Sequence, residues 1–205
     1  LTSLASGVNP KTHGVMTNTL KSAKSFRGIT MFHVAKEHRL STAVVLGKHK
    51  IHGITVPQLF DYAKYPSYTI GYWTSDRVIK EFRAILKKKD VNLFFVHMKE
   101  PDYAGHRYGW MTKEYKEAVK KSDDAIKELV SIATKELGKD SFTLIVTADH
   151  GGHGLGHGTR ELSDMTIPLI IWGKGVKKGV SMRKSPKLID IAPTTMWLLG
   201  LKPPA

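Results

Sequence analysis

One twelve-residue stretch constrains this chain more than any other part of its sequence. Residues 147–158 read TADHGGHGLGHG and directly follow the apolar run FTLIV. They combine one carboxylate, Asp149, with three imidazoles, His150, His153 and His157. Carboxylate oxygens and imidazole nitrogens are the ligands that hold zinc, manganese and similar divalent ions. Because glycine lets a backbone turn sharply, we expect a buried strand that delivers metal ligands from its carboxyl end.

A second stretch of the chain has the same organisation. Residues 92–96 are again mostly apolar, and they lead to Asp102 and His106. These two residues stand four apart, so a helical turn would place both side chains on one face, close enough for one ion. In open α/β sheets, sites form outside the carboxyl ends of strands. The two stretches together predict a shared metal site, whereas either one alone is also compatible with a polar surface turn.

Strand-like and helix-like segments alternate along the chain, which predicts an α/β fold with a mostly parallel sheet. The expected strands are residues 42–46, 92–98, 142–148 and 167–172, the last with an early proline typical of a strand start or a sheet edge. The expected helices are residues 28–38, 75–89, 112–137 and 186–199. The third is the clearest, because its apolar positions keep a 3.6-residue period between a Thr112 cap and a Gly138 stop. Residues 50–75 are interpreted as irregular.

Composition sets further limits. A length of 205 residues suits a single domain, and no apolar run approaches the ~20 residues that span a bilayer. The chain has no cysteine, which excludes disulfides and thiolate ligands, so a metal would have nitrogen and oxygen ligands. Its net charge of +14 comes mainly from scattered lysines, which favours a solvated surface over nucleic-acid binding. The start of the chain shows no secretory signal peptide, and the absence of cysteine does not fix a compartment.

The order of these motifs resembles the alkaline phosphatase superfamily, and most of all its type I phosphodiesterase/nucleotide pyrophosphatase branch. Residues 3–15 resemble the segment that follows the family's nucleophile. Asp102–His106 is similar to its D-x-x-G-H metal motif, and Thr147–Gly151 to its second metal motif. His157 and the apolar run 167–170 resemble its final ligand and the strand behind it. The resemblance covers nearly the whole chain and implies a three-layer sandwich, with a mostly parallel central sheet flanked by helices.

The resemblance also implies a chemistry. It predicts two divalent ions, zinc or alternatively manganese, and a Thr or Ser nucleophile that forms a covalent phospho-enzyme resolved by water. The substrate would be a small phosphate ester, cleaved by a phosphodiesterase, nucleotide pyrophosphatase or phosphatase type of reaction. The implied ligands of one ion are Asp102, His106 and His157, with His153 as the rival of His157. Part of the second ion's ligand set would be Asp149 and His150.

The chain departs from the family pattern at its start. The family's nucleophile precedes the position that matches Ser6 by a distance that places it upstream of Leu1. A metal-binding Asp on the family's first strand also has no counterpart. We therefore expect residues 1–205 to be a single alkaline phosphatase-like catalytic domain that lacks its N-terminal strand and nucleophile segment. Thr2 and Ser3 are the alternative nucleophiles within the chain.

Several alternatives stay open at this point. A sulfatase or a phosphoglycerate mutase would use the same fold, and a non-catalytic metal-binding or nucleic-acid-binding domain would belong to another class. His97 is expected to be a core residue or to support a ligand, and His13 to be structural. Lys48 and Lys50 follow a predicted strand end, where a substrate contact is conceivable. The sequence indicates neither a membrane segment nor an oligomeric state.

Overall fold

The computed structural model describes residues 1–17, 25–49, 59–88 and 90–204. The helices in these ranges are α1 (Thr2–Ser6), α2 (Pro10–His13), α3 (Met31–Glu37), α4 (Ser75–Leu86), α5 (Glu100–Tyr108), α6 (Lys113–Leu137), α7 (Leu162–Met165) and α8 (Ile191–Leu198). The strands are β1 (Thr42–Leu46), β2 (Tyr62–Lys64), β3 (Leu93–His97), β4 (Thr143–Thr147) and β5 (Leu169–Gly173). A short 3₁₀ turn, Leu188–Asp190, leads into α8. In the described ranges, no helix combines the length and the apolar character that crossing a bilayer requires.

Strand β1 is the centre of a parallel sheet with the order β2-β1-β3. Val44 lies opposite Phe95 of β3 on one side and opposite Ala63 of β2 on the other. All five residues of β1 are buried, as expected of a parallel strand covered on both faces. The α/β prediction with a parallel sheet is therefore confirmed. The sequence correctly located β1 and β3, but it missed β2 within the segment interpreted as irregular, of which residues 50–58 lie outside the described residues.

Strands β4 and β5 form a second, antiparallel pair. Ile145 lies opposite Ile171, and Thr147 at the end of β4 lies opposite Leu169 at the start of β5. Pro168 directly precedes β5, which has one strand partner among the described residues, as expected for an edge strand. The predicted parallel arrangement thus holds for β1, β2 and β3, whereas β5 runs in the opposite direction.

Helices cover the parallel sheet on both faces, which confirms the three-layer sandwich. Val44 and Leu46 of β1 pack in one cluster with Phe32 of α3, and that cluster also includes side chains from α1 and α8. The alternate residues Ala43 and Val45 pack on the opposite face, where α4 and α6 supply the cover. Burial of each large apolar side chain stabilises the fold by about 1.5–3 kcal/mol. Alternate side chains of β1 therefore contact different helix layers, one on each face of the sheet.

The predicted boundaries of the long helices are close to the observed ones. Helix α6 spans Lys113–Leu137, and the side chain of Thr112 accepts a hydrogen bond from the Tyr115 amide at 3.3 Å, so the predicted cap is confirmed. Helix α4 was expected to have Ser75 or Asp76 as its N-cap; it instead begins at Ser75 with Thr74 as the N-cap, and it ends at Leu86. The predicted end of that helix, Lys89, lies outside the described residues.

A large cavity separates β3 from β4. Asp102 follows β3 and His150 follows β4, and Asp102 Oδ1 lies 3.6 Å from His150 Nε2. The carboxyl ends of both strands therefore meet at the same site, and the two strands run in the same direction. The cavity has a volume of about 2260 Å³, and every residue of both strands lines it. Pockets for small ligands usually measure about 300–1,000 Å³. The cavity is therefore larger than a substrate pocket and includes the whole interval between the strands.

The facing edges of β3 and β4 have no strand partner among the described residues. Strand β3 pairs with β1 and strand β4 pairs with β5, so each presents a row of backbone N–H and C=O groups to the cavity. Phe95 and Ile145 on these strands are only partly buried, although they pack against the core. Buried backbone polar groups require hydrogen-bond partners. A further extended segment between β3 and β4 would pair with protein on both of its edges.

Engineered cysteines can measure the separation of β3 and β4, because the chain has none of its own. A disulfide needs Cα atoms within about 7 Å, and strands one place apart are about 4.8 Å from each other, against about 10 Å for strands two places apart. We expect Phe95→Cys/Ile145→Cys to form no disulfide on oxidation. The control pair Ile145→Cys/Ile171→Cys, which joins direct neighbours of β4 and β5, should form one. Mass spectrometry without reduction reads both results, and a disulfide between positions 95 and 145 would show that β3 and β4 pair directly.

Candidate metal centre

Asp102 is the centre of the candidate site. It lies in the first turn of α5, so the helical arrangement of Asp102 and His106 expected from their spacing is present. The Oδ1 atom of Asp102 is buried and has no hydrogen-bond partner among the described residues. Three imidazole Nε2 atoms surround it, from His106 at 3.4 Å, His150 at 3.6 Å and His157 at 3.6 Å. The ligand atoms of Asp102, His106 and His157 all lie within 4.8 Å of one another.

In His106 and His150, the hydrogen bond of Nδ1 shows where one ring proton lies. The Nδ1 atom of His106 lies 3.0 Å from the Leu155 carbonyl oxygen, and that of His150 lies 2.8 Å from the Gly151 carbonyl oxygen. A carbonyl oxygen only accepts, so Nδ1 carries a proton, and when the ring is neutral its Nε2 presents a lone pair toward Asp102. Lone pairs that converge on a carboxylate oxygen repel one another unless a cation lies between them. Tetrahedral zinc with ligands at about 2.0–2.1 Å has ligand atoms about 3.4 Å apart, so this group of donors fits a divalent ion.

His157, and not His153, reaches this group of ligand atoms. Its ring stacks on His150 with 3.6 Å between centroids and 12° between planes. Burial lowers the pKa of His157, and the neighbouring His150 lowers it further, which favours the neutral, ligating form. The Nδ1 atom of His153 instead contacts Asp164 Oδ1 at 2.8 Å.

The Trp110 ring supports two of the candidate ligands from behind. Its centroid lies 5.2 Å from that of His106 and 5.9 Å from that of His157. A Cβ atom on Gly105 would come within 2.6 Å of the Trp110 ring, and one on Gly152 within 2.2 Å. The glycines of both motifs are therefore required by the packing of Trp110. Trp110 was not predicted from the sequence, although the glycine at position 105, between Asp102 and His106, indicates that a side chain packs closely against this turn.

Asp149 and His150 extend the site beyond the end of β4. Asp149 Oδ1 lies 3.8 Å from His150 Nε2, so the two residues expected to share a second ion are neighbours. Within the described part of the chain, the sole group of three or more candidate ligands is the one around Asp102. The assignment of Asp149 and His150 to a second ion therefore stays a prediction.

Lys48 contributes a positive charge directly to this site. It follows β1, and its Nζ atom donates a hydrogen bond to Asp102 Oδ2. Burial raises the pKa of Asp102, but the hydrogen bond and the charge of Lys48 outweigh this effect and hold the pKa below its ordinary value. Lys48 therefore contacts a candidate ligand, whereas Lys50 lies outside the described residues.

His97 ends β3 and lines the same cavity as the candidate ligands. Its Nδ1 atom is buried and has no hydrogen-bond partner among the described residues. Burial lowers the pKa of His97 to about 4, although the charges of Asp149 and Asp102 act in the opposite direction. His97 is therefore a neutral imidazole that borders the site and does not belong to the apolar core.

Neither alternative nucleophile has an activating base among its described contacts. The Val15 amide donates to His13 Nδ1 at 3.1 Å, so the proton of the neutral His13 ring is on Nε2. That Nε2–H group donates to Ser3 Oγ at 2.9 Å, and His13 in this form cannot accept a proton from Ser3. Thr2 and Ser3 do line the cavity that contains the metal ligands.

Asp164 holds the glycine-rich loop in place. This buried carboxylate accepts hydrogen bonds from the Thr159 amide at 2.8 Å and the Thr159 hydroxyl at 2.9 Å, in addition to His153. The Gly151 amide donates to its carbonyl oxygen at 2.8 Å. The hydrogen bond from His153, followed by those from Thr159, lowers the pKa of Asp164 to about 2. His153 therefore has a structural contact that accounts for its place in the motif.

Exchange of single histidines tests this assignment. We expect His157→Asn to weaken zinc binding by more than about 100-fold, because loss of a supporting residue alone costs 10–100-fold. The matched control His153→Asn should retain zinc, since its ring contacts Asp164. Elemental analysis and titration calorimetry on both variants give the measurement. Loss of zinc from the His153 variant, with zinc retained by the His157 variant, would reverse the assignment.

The pair of His153 and Asp164 should have a distinct pH dependence. The hydrogen bond to Asp164 raises the pKa of His153, so the pair contributes stability that is fully present between about pH 4 and about pH 6.5 and is lost as the pH rises through the raised value. In Asp164→Asn, NMR titration should give a lower His153 pKa than in the wild type. The difference in melting temperature between the two proteins should shrink above that pH. An unchanged His153 pKa in the variant would contradict the assigned contact.

Known proteins similar to this chain agree with the geometry. The family model described as Metalloenzyme superfamily matches residues 16–203. A GPI ethanolamine phosphate transferase 1 from Gibberella zeae is 33% identical over 128 residues, which are 58% of this chain and 13% of that protein. The chain thus spans a small fraction of the length of the curated relatives that it matches.

Solved structures with the same fold belong to the alkaline phosphatase superfamily. The lipoteichoic acid synthase LtaP from Listeria monocytogenes superimposes with a TM-score of 0.71 at 16% identity, over 98% of this chain and 59% of that one. Murine ectonucleotide pyrophosphatase/phosphodiesterase 5 gives a TM-score of 0.59 at 18% identity, over 73% and 44% of the two chains. The chain has an alkaline phosphatase-like fold and belongs to the Metalloenzyme superfamily.

Proposed function

We propose that this chain forms the metal-binding core of an enzyme that cleaves phosphoric esters through a covalent phospho-enzyme. The observation that carries the proposal is the convergence of three imidazole nitrogens on Asp102 Oδ1 at the ends of β3 and β4. This donor set suits a divalent cation, and it lies where α/β sheets place their reactive sites. Membership of a superfamily of metalloenzymes supports the same conclusion.

We propose that the site holds two divalent ions, zinc or alternatively manganese. Asp102, His106 and His157 would hold one ion, and Asp149 and His150 would hold part of the other. Bound ions of this kind lower the pKa of a hydroxyl nucleophile and stabilise charge on the attacking and leaving oxygens. The two carboxylates would offset only half of the positive charge of two divalent ions, and neutral imidazoles would offset none of it. The site would therefore keep a net positive charge, which suits an anionic phosphoryl group.

The proposed reaction has two balanced steps. A hydroxyl oxygen of the protein forms a bond to phosphorus, the bond to the leaving oxygen breaks, and the hydroxyl proton passes to solvent. Water then forms a bond to the same phosphorus, the bond to the protein oxygen breaks, and a free phosphate product leaves. Lys48, which donates to Asp102, adds a positive charge at the site that would attract an anionic phosphoryl group. Neutral His97 borders the same space and can orient a proton without adding charge.

We propose that the nucleophile is outside the 205 residues and reaches the site on an extended segment between β3 and β4. Support comes from the facing edges of the two strands, which have no strand partner among the described residues and would pair with such a segment on both sides. The contacts of Ser3 give further support, because His13 donates to its hydroxyl and does not activate it. Residues 1–205 would then be the larger part of one catalytic domain.

A second candidate reaction shares the first step. In a transferase, the hydroxyl of an acceptor molecule replaces water in the second step and the phosphoryl group passes to it. The curated relatives named as ethanolamine phosphate transferases favour this alternative. In both reactions the substrate is a small molecule that contains a phosphate ester, and a diester is the type that a transferase of this kind consumes.

Aryl ester assays on the full-length encoded protein test the proposal. After loading with zinc, it should release 4-nitrophenolate from bis(4-nitrophenyl) phosphate, and Asp102→Asn should reduce the rate by at least about 100-fold. The double variant Thr2→Val/Ser3→Ala should keep its activity, because the proposed nucleophile lies elsewhere. Addition of an alcohol such as ethanolamine distinguishes transfer from hydrolysis through the product that forms.

Other outcomes identify the alternative functions. Faster release from 4-nitrophenyl sulfate than from either phosphate ester would indicate a sulfatase, and interconversion of phosphoglycerates would indicate a mutase. Loss of activity in the Thr2 and Ser3 variant would place the nucleophile within this chain. Absence of bound metal, together with salt-sensitive binding of nucleic acid, would replace the enzyme by a non-catalytic domain.

A further inference from the structure

We propose that residues 174–187, which we name the basic arm, dock this protein onto an anionic lipid bilayer. The chain has six basic residues and no acidic residue between positions 165 and 189, which gives this segment a net charge of 6 − 0 = +6 out of +14. The six cations are Lys174, Lys177, Lys178, Arg183, Lys184 and Lys187. None of them forms an ion pair within the part of the chain that the structure describes.

This charge is not the continuation of a uniformly basic surface. Residues 113–140, which include the longest described helix, contain seven lysines and seven acidic residues, so their net charge is 7 − 7 = 0. Lysines of α6 also have acidic neighbours along the helix, such as Lys113 with Glu117 at 4.0 Å. The basic arm therefore has +6 of net charge within fourteen residues and no carboxylate to offset it, whereas residues 1–112 have 17 − 7 = +10 spread over a length eight times as great.

The basic arm is anchored at both ends and exposed between them. At its start, the Lys174 amide donates to the Phe142 carbonyl at 2.9 Å, and the Thr143 hydroxyl donates to the Lys174 carbonyl at 2.6 Å. At its end, the Lys187 amide donates to Asp190 Oδ2 at 2.7 Å, next to α8. All residues from 177 to 187 are exposed. The fold thus presents the cations on a loop with fixed ends.

The apolar content of the basic arm favours a lipid surface over a nucleic acid. Val180 is 60% exposed and Met182 is 52% exposed, and both stand among the cations. Apolar side chains between basic ones suit the boundary of headgroups and acyl chains. Single-stranded nucleic acids are bound by stacking on aromatic rings, and the basic arm contains none. Trp172, 39% exposed just before the arm, is a residue type enriched at membrane interfaces.

The basic arm is separate from the candidate metal centre. Because β5 runs antiparallel to β4, Gly173 lies opposite Thr143, whereas the metal ligands follow Thr147 at the other end of β4. A five-residue strand is about 17 Å long, so the arm begins roughly that far from the site. Membrane binding through the arm would leave the site open, and it does not depend on the proposed catalytic function.

Vesicle binding tests the proposal. The protein should sediment with vesicles of about 30% phosphatidylserine in phosphatidylcholine and not with pure phosphatidylcholine, and binding should weaken as the salt rises from about 0.1 M to about 0.5 M. Each basic residue near such a surface strengthens binding about fivefold. Lys177→Glu/Lys178→Glu/Lys184→Glu should therefore weaken binding by at least about 100-fold. Val180→Ser/Met182→Ser should weaken it without any change of charge.

A matched variant separates the basic arm from the total charge. Lys120→Glu/Lys121→Glu/Lys127→Glu on α6 changes the net charge by the same amount and should leave vesicle binding within about threefold of the wild type. Equal loss in both triple variants would overturn the proposal, as would failure to bind phosphatidylserine at low salt. Tighter, arm-dependent binding of duplex or single-stranded nucleic acid than of vesicles would overturn it in favour of a nucleic-acid partner. Zinc content and thermal unfolding should be unchanged in all of these variants, since the altered side chains are exposed.

Discussion

The repulsion among acceptor atoms around Asp102 Oδ1 is the constraint on which the rest of this structure depends. His106 and His150 each donate their Nδ1 proton to a backbone carbonyl, so their Nε2 lone pairs point at a carboxylate that has no proton to offer. A protein interior tolerates such an arrangement when a cation occupies its centre. Lys48 supplies one positive charge on the far oxygen of the same carboxylate. The backbone carbonyls of Leu155 and Gly151 therefore orient the two imidazoles so that Nε2 can bind a divalent ion.

The sheet serves to bring the two halves of this site together. Strands β1 and β3 carry Lys48 and Asp102 to one edge, and β4 carries Asp149 and His150 to the same edge from the other side of the cavity. No strand joins β3 directly to β4 among the described residues, so the ligand cluster and the flanking helices bridge the two pieces. A bound ion would then link them, as would an extended segment that pairs with both facing edges.

Support behind the ligands comes from close packing. The Trp110 ring touches the space that side chains on Gly105 and Gly152 would fill, and it lies against His106 and His157. Asp164 supports the glycine-rich loop through its hydrogen bonds with Thr159 and His153. The glycines in both motifs thus serve packing as well as backbone freedom. Lys48 places a positive charge within the site, whereas the six cations of the basic arm begin at the other end of β4.

Local patterns in the sequence were sufficient for much of the fold. The apolar runs located β1, β3 and β4, and the 3.6-residue period with its Thr112 cap located α6, because burial of one face and capping depend on neighbours in sequence. The four-residue spacing likewise placed Asp102 and His106 on one helical face.

Long-range packing decided the rest. His153 and His157 have similar local sequences, since each is flanked by glycines, and the family resemblance favoured His157. The structure gives the physical reason, because Asp164 binds the His153 ring whereas Trp110 and His150 hold the His157 ring. The direction of β5 and the interval between β3 and β4 also followed from tertiary contacts. A periodic pattern indicates which face of a segment is buried, but the residues that cover this face lie far away in the chain. By itself, therefore, the sequence determined the elements and the two ligand-bearing strand ends, and only the tertiary structure decided which donors meet at Asp102.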